Sequence, residues 1–278
     1  MRQARRLGFR RDGVGSVVLL AALASGGCSE RNTELLPLVP SSPPGAQQPP
    51  SNGIPDAGPM HGWVSPERAV FWFDAASGVD FREGGVAVWV DQSPLRQHAS
   101  QADPGLRPDA GVWVDGVTTV PEFKPTDTLQ LPRLNFSIAS GFTMLLLLRR
   151  LDASSGAPLA LGRGGDGRAP LGFDVIEDEG LAVDIRGTKY EFYGLLPVGV
   201  PALLTLNALD GRAELRLDGV AADSWGFAPF EDERLENFVG RNFTGQIAFA
   251  ALLAFGTEQQ ELERIEGKLA QAWGCCGN

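Results

Sequence analysis

Short runs of alternating apolar and polar residues, separated by glycine-bearing turns, dominate the second half of the chain. Leu181, Val183 and Ile185 alternate with Ala182, Asp184 and Arg186, and Ala213, Leu215 and Leu217 alternate with Glu214, Arg216 and Asp218. Period two places each set on one face of a half-buried strand. Phe142 to Leu148 is a continuous apolar run, expected as a central strand covered on both faces. Glu179-Gly180, Asp210-Gly211, Asp218-Gly219 and Gly164-Gly165-Asp166-Gly167 punctuate the runs as turns. One helix is convincing. Leu262, Ile265, Leu269 and Trp273 share a face at helical spacing. Thr257 and Gln260 give the helix a capping-box start, and Gly274 gives it a stop. Many short strands, Gly-rich turns and one late helix predict an all-β fold, an antiparallel β-sandwich with one C-terminal α-helix.

The N-terminus reads as an export signal. Arg2, Arg5, Arg6, Arg10 and Arg11 form a basic region, Val14 to Ala24 an apolar one, and Ser25-Gly26-Gly27 are small. The apolar segment is far shorter than the roughly 20 residues that span a bilayer. Small residues directly before Cys28 resemble a bacterial lipoprotein signal, in which that cysteine is lipidated and becomes the new N-terminus. Ser25 stands where that pattern usually has Leu. The alternative is an ordinary secretory signal with an incidental cysteine. On the first reading residues 1–27 are removed, and residues 28–60 form a linker rich in proline and serine, as in Ser41-Ser42-Pro43-Pro44. Such a linker stands a domain off a membrane. Ser29 is not the aspartate that resembles an inner-membrane retention signal, so the outer membrane is the expected destination.

From about Gly62 the composition changes abruptly, with Trp63, Phe71, Trp72, Phe73 and Phe81 close together. A single domain over residues 61–274 has room for a substantial core. The chain carries a formal net charge of −10, and loss of the arginine-rich leader makes it more negative. That balance excludes a nucleic-acid partner held by bulk charge. Cys275 and Cys276, in a tail over residues 275–278, are adjacent; they make no disulfide framework and read as a loose end.

The order of motifs resembles the laminin-G-like (concanavalin A-like) jelly-roll family. The similarity runs through Val70-Phe71-Trp72-Phe73-Asp74-Ala75-Ala76, then Trp89-Val90-Asp91-Gln92-Ser93 with His98-Ala99, then Arg107-Pro108. It continues through Phe142 to Arg150, the Leu203 to Gly219 hairpin, Val239-Gly240, Phe243 to Phe255 and Glu261 to Gly274. Pro94 replaces the family's glycine after the serine. The resemblance implies a binding module rather than an enzyme, recognising a glycan or a surface protein of the cell envelope. The alternatives are a glycan-cleaving hydrolase or lyase of the same fold, and a structural envelope module with no small ligand.

The resemblance also implies calcium as the cofactor to look for, since related domains bind it through loop carboxylates at the sandwich rim. Asp74, Asp91 and Asp166 are the candidate ligands; the competing reading for Asp91 is that it ties down its own turn. Exposed rings stack on sugars, which makes Trp113, Trp225 and Tyr190 candidate ligand contacts, with core packing as the alternative for the two tryptophans. Trp72, Trp89 and Trp273 read as core. No catalytic residue is assigned. The acids Asp174, Glu177, Asp178 and Glu179 read as a solvated hairpin tip rather than a catalytic pair. With two histidines, His61 and His98, and no Gly-x-Ser-x-Gly elbow, hydrolase motifs are missing.

Overall fold

The computed structural model describes residue 64 and residues 68–134, 141–162, 171–185, 188–228 and 236–276. Cys28, His61 and Asp166 lie outside the described residues. The chain opens with β1 (Ala69–Asp74), a helical turn α1 (Ala75–Gly78), β2 (Val79–Arg82), β3 (Gly85–Trp89), β4 (Ala99–Ser100), β5 (Asp109–Val112), β6 (Thr119–Phe123) and β7 (Leu129–Leu131). The middle comprises β8 (Phe142–Arg150), β9 (Gly156–Leu161), β10 (Leu171–Ile176), β11 (Gly180–Ile185) and β12 (Thr188–Phe192). Then come β13 (Pro201–Leu209), β14 (Arg212–Leu217), β15 (Val220–Gly226), β16 (Asn237–Arg241), β17 (Gly245–Leu253) and the helix α2 (Gln259–Trp273).

The strands form two antiparallel sheets. The first runs β15-β14-β13-β8-β17-β6-β5, with β1 also paired to β17. The second runs β12-β11-β10-β9-β16-β7-β4-β3-β2. Side chains such as Phe71, Met144, Leu146, Leu159, Phe173, Leu204 and Ile247 belong to one continuous buried core. Phe73 of the first sheet and Trp89 of the second bring their ring centroids to 5.4 Å. The predicted sandwich is the observed one.

The continuous apolar run is β8, between β13 and β17. It is buried on both faces because the second sheet covers one and α2 covers the other. Register explains the second cover. Thr143 pairs with Asn207, and Thr205 with both Leu145 and Arg216, so these side chains share the outer face. There Thr143 Oγ1 lies 2.7 Å from Thr257 Oγ1, and Asn207 Nδ2 donates to Thr257 O at 2.8 Å. This polar contact clamps the segment between β17 and α2 onto the sheet.

The helix differs from its expected start. Glu258 is its N-cap, with no side-chain capping bond, because Thr257 has turned inward to Thr143. A capping box therefore does not form. Its other end is as expected: Gly274 adopts a left-handed φ of 61° and sends its N–H to Ala270 O. Leu262, Ile265, Leu269 and Trp273 are buried, and so is Glu266. β11 is also more covered than its alternation suggested, since Ala182 and Asp184 are buried along with Leu181, Val183 and Ile185.

Asp210-Gly211 and Asp218-Gly219 are two-residue turns with φ positive at both positions, as right-twisted hairpins require. Between β10 and β11 the left-handed residues are Asp178 and Glu179, and Gly180 already belongs to the strand. Gly240 has a positive φ, and a Cβ there would sit 1.9 Å from the Phe123 ring. Cys275 and Cys276 are half-buried against the core instead of trailing loose.

Candidate functional site

The resemblance pointed first to the turn after β3. Asp91 is fully buried, and both of its carboxylate oxygens are engaged. Oδ1 accepts from Trp72 N at 2.7 Å and Ser93 N at 2.8 Å. Oδ2 accepts from Ser93 Oγ at 2.7 Å and Gln97 N at 2.6 Å. Four bonds use the lone-pair directions a carboxylate has, so none is left for a cation. His98 completes the knot by accepting Asp91 N–H on Nδ1 at 3.0 Å. Ser93 O still accepts from Arg96 N at 3.2 Å, so Pro94 is accommodated without loss of the turn.

Asp74 caps the turn α1 through a 2.9 Å bond from Ala76 N. Burial pushes its carboxyl above the ordinary range, with the Ala76 bond opposing. A carboxyl that burial disfavours as an anion is a poor calcium ligand. The donor set thus does not fit calcium at Asp74 and Asp91. Among the described residues no group of three or more His, Cys, Asp or Glu side chains is placed to hold a metal.

Trp113 is 2 % exposed. Its ring meets Trp273 edge-on at 5.8 Å, and its Nε1 donates to Trp273 O at 3.3 Å. Its surface is spent on docking the helix, which leaves no face for a ligand. Trp72 and Trp89 are likewise buried in the core.

Tyr190 and Trp225 behave differently. They sit on β12 and β15, the outermost strands of the two sheets on the same flank of the sandwich. Tyr190 pairs with Val183 and Phe192 with Leu181, both fully buried, so these rings aim inward from β12. Trp225 pairs with buried Ala213 and aims inward from β15. The rings meet across the open flank. Tyr190 and Trp225 stack with centroids 4.3 Å apart and planes at 20°. Phe192 lies 6.2 Å from Trp225 at 31°. All three are half-buried.

On the opposite face of β12, Tyr193 is 43 % exposed and donates its hydroxyl to Glu191 Oε2 at 2.8 Å. The flank is braced from below. Arg150, buried at the end of β8, donates to the carbonyls of Asp152 at 2.9 Å, Ile176 at 3.3 Å and Leu196 at 3.4 Å. It thereby ties the β10–β11 turn to the segment after β12. The arrangement offers a rigid aromatic surface, which suits the apolar face of a sugar ring.

The acidic run divides as its register dictates. Glu177 and Asp178 are exposed at the hairpin tip. Asp174 remains within β10 opposite Ala182, while Asp184 stands opposite Gly172. The two aspartates are diagonal neighbours on the outer face of the second sheet, and Lys189 Nζ lies 3.6 Å from Asp174 Oδ2. Asp184 was passed over in the sequence because it alternates with core residues. Its signal was an acid at a position where only the outer face was open to it.

No family model matches the chain, and no curated protein matches it. Solved structures do. Trypanosoma rangeli sialidase in complex with sialic acid aligns over 76 % of this chain and 34 % of its own, at 12 % identity and a TM-score of 0.50. The binding domain of Paraclostridial mosquitocidal protein 1 aligns over 76 % of this chain and 56 % of its own, at 13 % identity and a TM-score of 0.54. Botulinum neurotoxin type C, whose cell entry depends on interaction with two ganglioside molecules, aligns over 73 % and 52 %, at 9 % identity and a TM-score of 0.51. This chain thus spans about a third of the sialidase and about half of each toxin chain. What it shares with them is a fold, a sandwich of two antiparallel β-sheets.

Proposed function

We propose that this chain is a glycan-binding module tethered to the cell envelope. The Tyr190–Trp225 stack carries the reading: it is the one place among the described residues where two large, half-buried rings lie parallel at the surface. A sugar laid against it would exchange water for aromatic carbon on one face. Sialic acid and gangliosides, named with proteins that share this fold over a third to a half of their length, support a glycan as the ligand class. The basic and apolar leader before Cys28 supports a lipid tether, with the outer membrane as destination. Binding rather than cleavage is the proposed activity.

The test is a glycan panel. The chain carrying Cys28→Ser, to keep it soluble, is screened against sialylated and neutral oligosaccharides with and without a chelator. Binding to one class is expected, unchanged by the chelator, because Asp91 has no free oxygen for calcium. Silence across the panel would sink the binding reading. Fractionation tests the tether: wild type should sediment with membranes and Cys28→Ala should not.

A second reading rests on Asp174 and Asp184. Diagonal neighbours on a sheet lie about 7–8 Å apart, within the separation that hydrolytic carboxylate pairs use. Release of reducing sugar from a polysaccharide, abolished by Asp174→Asn or Asp184→Asn, would favour cleavage over binding.

A further inference from the structure

The adjacent thiols of Cys275 and Cys276 lie outside everything argued so far. They follow α2 directly, and Cys275 N–H bonds Ala270 O at 3.2 Å, so the pair is fixed by the helix end. Cys276 has a left-handed φ of 60°, uncommon for a side chain other than glycine. That conformation turns its sulfur back toward its neighbour. Cys276 Sγ donates to Cys275 Sγ at 2.9 Å. Neither thiol is in a disulfide, and both are half-buried. They line a cavity of about 690 Å³ with Asp218, Gly219, Glu266 and Gly274, so a small reagent can reach them.

We propose that Cys275 and Cys276 form a thiol–disulfide exchange site, with Cys275 the attacking sulfur and Cys276 the resolving one. The hydrogen bond from Cys276 holds the Cys275 thiol below its usual range, with burial and the Asp218 carboxylate opposing. The same bond, with burial, holds Cys276 protonated. The thiolate is the reacting form, so the division of labour follows.

The co-reactant is a small-molecule disulfide. Cys275 thiolate attacks one of its sulfurs, that S–S bond breaks, and one thiolate leaves and takes up a proton. Cys275 then carries the mixed disulfide. Cys276 loses its proton to solvent, attacks Cys275 Sγ and expels the second thiolate. In sum the two cysteines lose two protons and two electrons, and the small-molecule disulfide takes them up to become two thiols. The product ring spans a single peptide bond. Its Cα atoms are closer than an unstrained disulfide allows, so it should be easily reduced again.

Cystamine is the probe, since its ammonium groups suit the Asp218 carboxylate at the cavity. All proteins carry Cys28→Ser, leaving two thiols. Intact mass should show the parent two hydrogens lighter with no adduct retained, and dithiothreitol should restore it. Cys276→Ser should stop at one cysteamine on Cys275. Cys275→Ser should react about tenfold more slowly, and guanidinium should erase that difference by dissolving the hydrogen bond. Stable adducts on both parental thiols, disulfide-linked chains, or equal rates for the two single variants in the folded state would overturn the proposal.

Discussion

Arg216 in the sheet and Glu266 in the closing helix meet as a forked, buried ion pair. Arg216 Nε lies 3.1 Å and 3.2 Å from the two carboxylate oxygens, and a second guanidinium nitrogen lies 3.1 Å from Oε2. The side chains are 4 % and 3 % exposed. Removing Glu266 leaves the buried guanidinium only Glu214, 3.0 Å away and 27 % exposed, as its counterion. Glu266→Ala should cost about 3–5 kcal/mol in urea unfolding. Replacing both partners by apolar residues, Arg216→Met with Glu266→Leu, should recover most of that loss. If the single and double variants are equally unstable, the pair itself is not what holds the helix.

Trp273 makes a second, apolar test of the same docking. Its ring is 4 % exposed and packs against Trp113. Trp273→Ala should cost about 3–5 kcal/mol. Glu263→Ala, on the exposed face, should stay within about 0.5 kcal/mol of wild type. Comparable small losses in thermal melts would mean that α2 is not docked.

The Asp91 knot makes stability depend on pH. Burial is the main cause pushing the His98 pKa below 6.5, with Asp91 raising it and Arg96 lowering it. The folded state therefore favours the neutral ring that accepts Asp91 N–H. This contribution is fully present above the unfolded pKa of about 6.5 and is lost as pH falls through the depressed folded value. His98→Asn keeps an acceptor but does not titrate. The wild-type urea midpoint should fall more steeply than that of the variant below about pH 6.5. Parallel pH profiles would remove His98 from the account.

Trp225→Ala should separate binding from folding. The ring is half-buried at a sheet edge, so its loss should cost about 1–2 kcal/mol of stability. Glycan affinity should fall far more, by about tenfold or beyond, in calorimetric titration against whichever sugar the panel identifies. Unchanged affinity would move the ligand away from the aromatic flank.

The sandwich could be read from the sequence because period-two runs and Gly-bearing turns are local signals. So could the buried face of α2. Thr257 misled because its hydroxyl suits a helix cap in isolation, yet Thr143, distant in sequence, captures it. Glu266 carries no local signal of burial, because its partner Arg216 lies on another element. Tyr190 and Trp225 were each singled out, but their contact depends on β12 and β15 ending the two sheets on one flank. No local pattern carries sheet order. Trp113 was open between ligand contact and core packing, and its burial could not be read locally, because Trp273, distant in sequence, supplies the cover.

β17 lies inside its sheet, with β8 along one side and β1 and β6 along the other. Trp72, near the start of the described domain, stands opposite Ala251 near its end. The consequence is kinetic. Until Gly245–Leu253 has been synthesised, β1 and β8 each lack a neighbour, and the core has no floor between them. Pairings of such long sequence separation close late and slowly, and unsatisfied strand edges recruit other chains while they wait. A nascent chain of this protein is committed to remaining unfinished until β17 has emerged, and that strand acts as the trigger for collapse.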